Sequence, residues 1–124
     1  MQDYGEIDIQ IFEKEFGKLQ TNKVILTNER DEHIKEQHPQ DYEYFKRYAS
    51  ETIHKPDEIL RDFKNDGTVF MVKKLPDTNL NVVIRLALET DKPELKNSIM
   101  TFYRIRESNL KKLRNNNKTL YKRQ

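Results

Sequence analysis

Two of the three histidines fall within the stretch Glu32-His33-Ile34-Lys35-Glu36-Gln37-His38-Pro39. Histidine changes charge near neutral pH, so either imidazole can act as general acid or base. A later run, Thr101-Phe102-Tyr103-Arg104-Ile105-Arg106, supplies hydroxyls and guanidinium groups. Preorganised donors and cations of that kind stabilise negative charge as it gathers at a reacting centre. Proton transfer from one segment and anion stabilisation from another are what cleavage of a phosphodiester requires. Neither a metal nor a cofactor is expected. At 100° per residue, positions 33 and 38 stand about 140° apart around a helix, so they do not chelate one ion as a four-residue spacing would. The plainer reading of His38 is a histidine that caps the end of its helix, and His54, before Lys55-Pro56, reads as structural.

The elements that must position these groups follow from periodicity. Ile7, Ile9 and Ile11 alternate with polar neighbours, which predicts a half-buried strand, and Lys23-Val24-Ile25-Leu26 predicts a second. Thr27 or Asn28 supplies an N-cap for a helix with an acidic first turn, and Pro39 ends that helix at His38. A second helix runs from Asp41 through Tyr44, Phe45, Tyr48, Ala49 and Ile53 and closes at Lys55-Pro56-Asp57. Strands follow at Ile59 to Lys64, Thr68 to Lys73, Leu80 to Glu89 and Ser98 to Arg106, with Asp66-Gly67 marking a hairpin. Such short connections make an antiparallel meander. The predicted class is α+β: N-terminal helices packed on one face of a four-stranded antiparallel sheet, with an extra N-terminal strand pair. Residues 1–114 read as one domain ending in a short helix from Glu107 to Leu113, and the basic tail 115–124 is expected to fray.

Alternation also assigns faces, with the rule that a slip of one residue inverts them. Val82, Ile84, Leu86 and Leu88 form the apolar set expected under the helices, together with Phe70, Val72, Met100 and Phe102. The opposite, open face then collects Lys73, Arg85, Thr101 and Tyr103, a surface of cations and hydroxyls suited to a phosphodiester.

Composition bounds the functional classes. Hydrophobic and charged residues each make up 35% of the chain and the mean hydropathy is −0.99, so the core is thin and the surface strongly solvated. No cysteine is present, which removes disulfides, thiolate metal sites and a cysteine nucleophile and suits a reducing cytoplasm. Residues 98–124 hold 8 basic and 1 acidic side chain, although the whole chain carries a net charge of only +2. That asymmetry points to a polyanionic partner, nucleic acid first. A solvated basic tail is the bland alternative. The most apolar run, Val82 to Leu88, is short and has Arg85 at its centre, so no membrane segment is expected. The acidic start, Met1 to Glu6, does not resemble a signal peptide.

Val24-Ile25-Leu26-Thr27 before Glu29-Arg30, then His33-Ile34, His38-Pro39, Pro56-Asp57-Glu58-Ile59 and Thr101-Phe102-Tyr103-Arg104-Ile105 occur in an order that resembles the phage-borne branch of the barnase/EndoU/colicin/RelE-type nucleases. The resemblance covers residues 24–106. It implies two helices followed by a four-stranded antiparallel sheet, and cleavage of RNA without a metal. His33, His38, Thr101 and Tyr103 carry over as catalytic candidates. Arg85, Lys73 and Arg104 join them from the face assignment, with Arg106 a further cation for substrate. The expected chemistry is attack by a ribose 2′-hydroxyl on its own 3′-phosphate, leaving a 2′,3′-cyclic phosphate. RNA is the expected partner, with a protein inhibitor or a phage protein as a second, and edge strands leave the oligomeric state open. Rival readings are a catalytically silent RNA-binding or toxin-neutralising module of the same fold, and a structural part of a virion.

Overall fold

Gly67 adopts φ +75°, a conformation that costs other residues strain, and so lets the chain reverse after Asp66. The hairpin it makes belongs to a sheet seen in a computed structural model that describes residues 2–123. In order, the elements are β1 (Gln2–Glu6), α1 (Ile9–Phe16), β2 (Lys23–Leu26), α2 (Asn28–Gln37), α3 (Tyr42–His54), β3 (Glu58–Arg61), β4 (Thr68–Lys74), β5 (Asn79–Arg85), β6 (Asn97–Ile105), α4 (Glu107–Asn116) and β7 (Lys118–Lys122). The fold is α+β.

The four strands β3 to β6 pair antiparallel as neighbours, but they form the centre of a larger mixed sheet. Its order among the described residues is β1-β2-β6-β5-β4-β3-β7. The expected four-stranded sheet is thereby corrected. β2 lies parallel to β6 through Val24↔Asn97 and Ile25↔Ser98, and buried Asn97 ties the junction by donating to the carbonyls of Thr21 and Lys23, 2.9 Å each. The N-terminal pair exists, with different bounds. Ile9 and Ile11 belong to α1, because the Asp8 side chain accepts from the Gln10 N–H and caps a helix whose Ile9, Phe12 and Phe16 share a side. Three alternating isoleucines were too short a window to separate the two periods. The tail is corrected too: residues 118–122 do not fray but add β7 to the edge of β3.

Helices cover both faces. α1, α2 and α3 bury Phe12, Ile34, Phe45 and Ile53 against Val69, Met71, Leu80, Val82, Ile84 and Phe102. α4 lies on the other side, where Leu110 packs with Leu60, Phe70, Val72, Val83 and Ile105. Met71 therefore faces the N-terminal helices and Phe70 and Val72 face α4, the reverse of the expected division. Met100 also changes side. β6 carries an irregularity between Val83↔Thr101 and Ile84↔Ile99, so Met100 is an extra residue that joins the α4 face while Ile99 and Phe102 stay on the first.

Candidate active site

Thr27 caps α2 by accepting from the Arg30 N–H at 3.2 Å, and the helix runs to His38 at its C-cap, whose N–H donates to the Ile34 carbonyl at 2.8 Å. Ile34 is fully buried. His38, one helical turn on, leans the same way and lays its imidazole on Phe102 with ring centroids 5.3 Å apart. Phe102 is stacked on Phe45 of α3 at 4.2 Å, which fixes the floor beneath the imidazole. Two residues further along β6, period two returns Arg104 to this same face. Its guanidinium sits 4.5 Å over the Tyr44 ring and 3.5 Å from Asp41 Oδ1. Asp41 precedes α3 but makes no side-chain cap, and its N–H donates instead to the His38 carbonyl. Tyr48 packs against Tyr44 at 4.9 Å and carries Arg47 over its ring. His38, Asp41, Tyr44 and Arg104 thus lie on one side of the sheet, linked through Asp41, whose N–H bonds the His38 carbonyl and whose carboxylate accepts from Arg104. Burial pushes the Tyr44 phenol above its usual value, with the Arg104 cation opposing, so it remains a neutral hydroxyl at physiological pH.

His33 does not join them. It is exposed and shares a polar surface hollow of about 520 Å³ with Thr27, Arg30 and the carboxylates of Glu29, Glu32 and Glu36.

The remaining expected residues lie across the sheet. Thr101 stands opposite Val83 and Tyr103 opposite Asn81, side by side with Met100 on the α4 face. Arg85 projects from the same side of β5, where it is half-exposed, folds over Gly67, donates to its neighbour Leu86's carbonyl at 2.6 Å and reaches Asp91 at 3.5 Å. Asn81 is wholly buried, and neither its amide nitrogen nor its oxygen has a hydrogen-bond partner; the Tyr103 hydroxyl is near enough to feel the amide dipole. Burial raises the Tyr103 phenol above its ordinary value, the neighbouring Asn81 amide opposes the shift, and the Asp62 carboxylate adds a smaller upward push. A groove of about 350 Å³ runs beside this set between Asp62, Lys64 and Phe70 and the α4 residues Asn109, Lys112 and Asn116.

Lys73 was expected on the open face with Arg85. It lies instead on the side of Met71 and the N-terminal helices, almost buried, with its ammonium donating to the Lys55 carbonyl at the end of α3 at 2.8 Å. Arg106 is exposed at the N-cap position of α4. The sheet therefore separates His38 and Arg104 from Arg85, Thr101 and Tyr103, and no single hollow contains all the expected residues. Sequence reading missed Asp41 and Tyr44, which carried only the signals of a helix cap and a core aromatic. Among the described residues no three His, Asp or Glu side chains converge as metal ligands would, and no helix is long and apolar enough to cross a membrane.

The sequence profile of one family, the phage-Barnase-EndoU-ColicinE5/D-RelE like nuclease2 family, matches residues 1–122. The chain belongs to that family. It is accordingly a nuclease-family protein of phage-associated type, and the match takes in β1, α1 and β7, which the resemblance read from the sequence had left out. No curated protein and no solved structure matches the chain.

Proposed function

We propose that the protein is an endoribonuclease that cleaves without a metal and that its reacting cluster is His38 with Arg104. The observation that carries this reading is an imidazole and a guanidinium on the same side of β6, each held against an aromatic ring. Family membership supports the reaction class. In the step envisaged, the ribose 2′-oxygen bonds to phosphorus, the bond to the departing 5′-oxygen breaks, and a proton passes from the first oxygen to the second. His38 carries one of those proton transfers, with water completing the other. Arg104, released from its half-exposed 3.5 Å pair with Asp41, meets the charge on the phosphorane. The Tyr44 and Tyr48 rings offer a platform on which an unpaired base stacks. Such a protein would act in the cytoplasm, where its RNA is, and a protein inhibitor would gain most by covering this cluster.

A second reading places the phosphate on the other face, with Arg85, Thr101 and Tyr103 around it. The observation that favours it is Asn81, whose buried amide has no partner beside Tyr103. A third, a silent RNA-binding module, draws on the sheet's separation of the two sets. One experiment divides them. Wild type and the variants His38→Ala, Arg104→Ala, Thr101→Ala and Tyr103→Phe are incubated with mixed RNA in EDTA, and fragment ends are analysed for 2′,3′-cyclic phosphate. Loss of roughly 10²–10⁴-fold in His38→Ala, with Thr101→Ala and Tyr103→Phe near wild type, is the expected result. The opposite pattern moves the site across the sheet, and binding without cleavage by wild type leaves the silent module.

A further inference from the structure

Two hollows adjoin at Arg123, away from both sets of residues discussed above. The first, about 350 Å³, is a cavity of mixed lining between α1, the end of α3 and the sheet, with an apolar wall of Ile11, Phe12, Ile53, Pro56, Ile59 and Met71 and with Lys55 and Arg123 at its edge. Asp8, His54 and Tyr121 add polar groups to its lining. The second, about 410 Å³, gathers Lys73, Lys74, Lys122 and Arg123 with Asp57 and Glu58. Four cations against two carboxylates leave this hollow positive, and the carboxylates are already engaged. Glu58 is held by both nitrogens of the Arg114 fork at 2.6 Å, and Asp57 by the Lys74 N–H at 2.7 Å and by Arg123 at 3.3 Å. Lys74 and Lys122 have no ion pair among the described residues and are exposed. Lys73 is fixed in place by its bond to the Lys55 carbonyl.

We propose that the two hollows form one binding site for a nucleoside phosphate, with the base against the apolar wall of the first and the phosphate among Lys74, Lys122 and Arg123. The cavity falls within the range of about 300–1,000 Å³ usual for small-ligand pockets. A flat ring fills such a cavity at little desolvation cost, and Tyr121 and His54 give its polar edge partners. The phosphate then stands past the end of the sheet, in the hollow that shares Arg123 with the cavity, and Lys74 and Lys122 reach it from the α4 side, the side that Val72 and Glu58 face. An acidic peptide would satisfy the cations alone and leave the cavity empty. The basic C-terminal residues thereby acquire a defined place: β7 carries Lys122 to the edge of β3, and Arg123 follows. Lys73 pairs with Leu80 and Leu80 with Arg104, so the nearest strand of this site is about two strand spacings, roughly 10 Å, from Arg104, and β7 is about four, roughly 19 Å; Tyr44 and His54 stand near opposite ends of α3. The two sites share no residue. The proposal rests on the hollows themselves and stands whichever way the cleavage assays fall.

The test is binding by the full chain, followed by amide chemical shifts, with three probes: adenosine 5′-monophosphate, ribose 5-phosphate, and a 2′-O-methyl RNA oligonucleotide that lacks the attacking hydroxyl. Expected are shifts at Ile11, Ile59, Met71 and Lys122, weaker binding of ribose 5-phosphate, and about tenfold lower affinity in the Lys74→Ala/Lys122→Ala double variant. Its thermal midpoint should match wild type, since neither side chain holds the fold. If the mononucleotide binds, the ligand is a free nucleotide; if only the oligonucleotide perturbs these amides, it is a nucleotide within a strand. No shift at these residues with any probe, equal binding of ribose 5-phosphate, or unchanged affinity in the double variant would overturn the proposal.

Discussion

Replacing Arg114 with methionine should cost about as much stability as truncating a core side chain, because it strands a buried charge. Glu58 begins β3 with its side chain only 1% exposed, and both carboxylate oxygens accept from Arg114 at 2.6 Å. Reciprocally, that bond first and foremost raises the Arg114 pKa further above its already high value. Methionine keeps the length and apolar stem of arginine but supplies no donor, so the carboxylate must stay charged without a partner or draw in water. Breaking one side of a buried pair costs about 3–5 kcal/mol. Arg114 is 20% exposed, so water can enter, and the lower end, about 3 kcal/mol, is expected. That is a large share of the roughly 5–15 kcal/mol that holds a domain together, and for a chain of this size it corresponds to a fall of about 10 °C in Tm. Urea titration followed by circular dichroism gives the value directly. The double variant Glu58→Met/Arg114→Met should recover to within about 1 kcal/mol of wild type, since an apolar pair of similar volume replaces the ions. A loss under about 1 kcal/mol in Arg114→Met, or a double variant no better than the single, refutes the reasoning.

Glu15 is held below the usual carboxylate range chiefly by its hydrogen bond from Lys118 and next by Arg61. A depressed carboxylate contributes stability above its unfolded value of 4.5 and loses it as pH falls through the folded value. Glu15→Gln should therefore be less stable than wild type at neutral pH, and urea midpoints of the two should converge as the solution is taken to roughly pH 3. Gly67→Ala is strained chiefly by its positive φ of 75°, since the added Cβ meets only the movable guanidinium end of half-exposed Arg85. It should cost about 1–2 kcal/mol, and in a denaturation cycle adding Arg85→Ala should recover little of that cost. Tyr103, raised first by burial, should ionise above the ordinary tyrosine value in an ultraviolet titration. Its unfolded form loses the proton first above pH 10, so unfolding is favoured there, and Tyr103→Phe should lessen the alkaline loss of stability.

The meander was legible because its signals are local. Asp66-Gly67 demanded a turn, and the runs on either side of it pair as β3 with β4. The helix stops were legible for the same reason: Pro39 and Pro56 follow α2 and α3 closely. What the sequence hid is non-local. Val24 and Ile25 carry no mark that they pair in parallel with residues more than seventy positions later, and Lys118 to Lys122 look like a solvated tail until the edge of β3 is known to be free. Hydrogen bonding to an open edge won over the weak propensity of a basic segment.

The division of the candidate residues into two sets has a cause that period two already contains. Phe102 and Arg104 must share one side of β6, and Thr101 and Tyr103 the other, wherever the strand is regular. Once His38 packs on Phe102, it belongs with Arg104, and no rotamer brings it to Thr101 or Tyr103 through the sheet. Helices that cover one face supply side chains to that face or to the sheet's rim. An arrangement with histidines from α2 facing hydroxyls on the opposite side was therefore at odds with the packing expected from the same residues. Lys73 and Met100 were misplaced for a different reason. The parity of β4 had to be anchored on a neighbour, and the irregularity beside Met100 shifts the count within β6. Parity within an uninterrupted stretch of strand is reliable, whereas parity between strands is only as good as the register that links them. The pairing of His38 with Arg104 rests on the first kind of inference together with one ring contact. That is why it is the stronger place to look for chemistry.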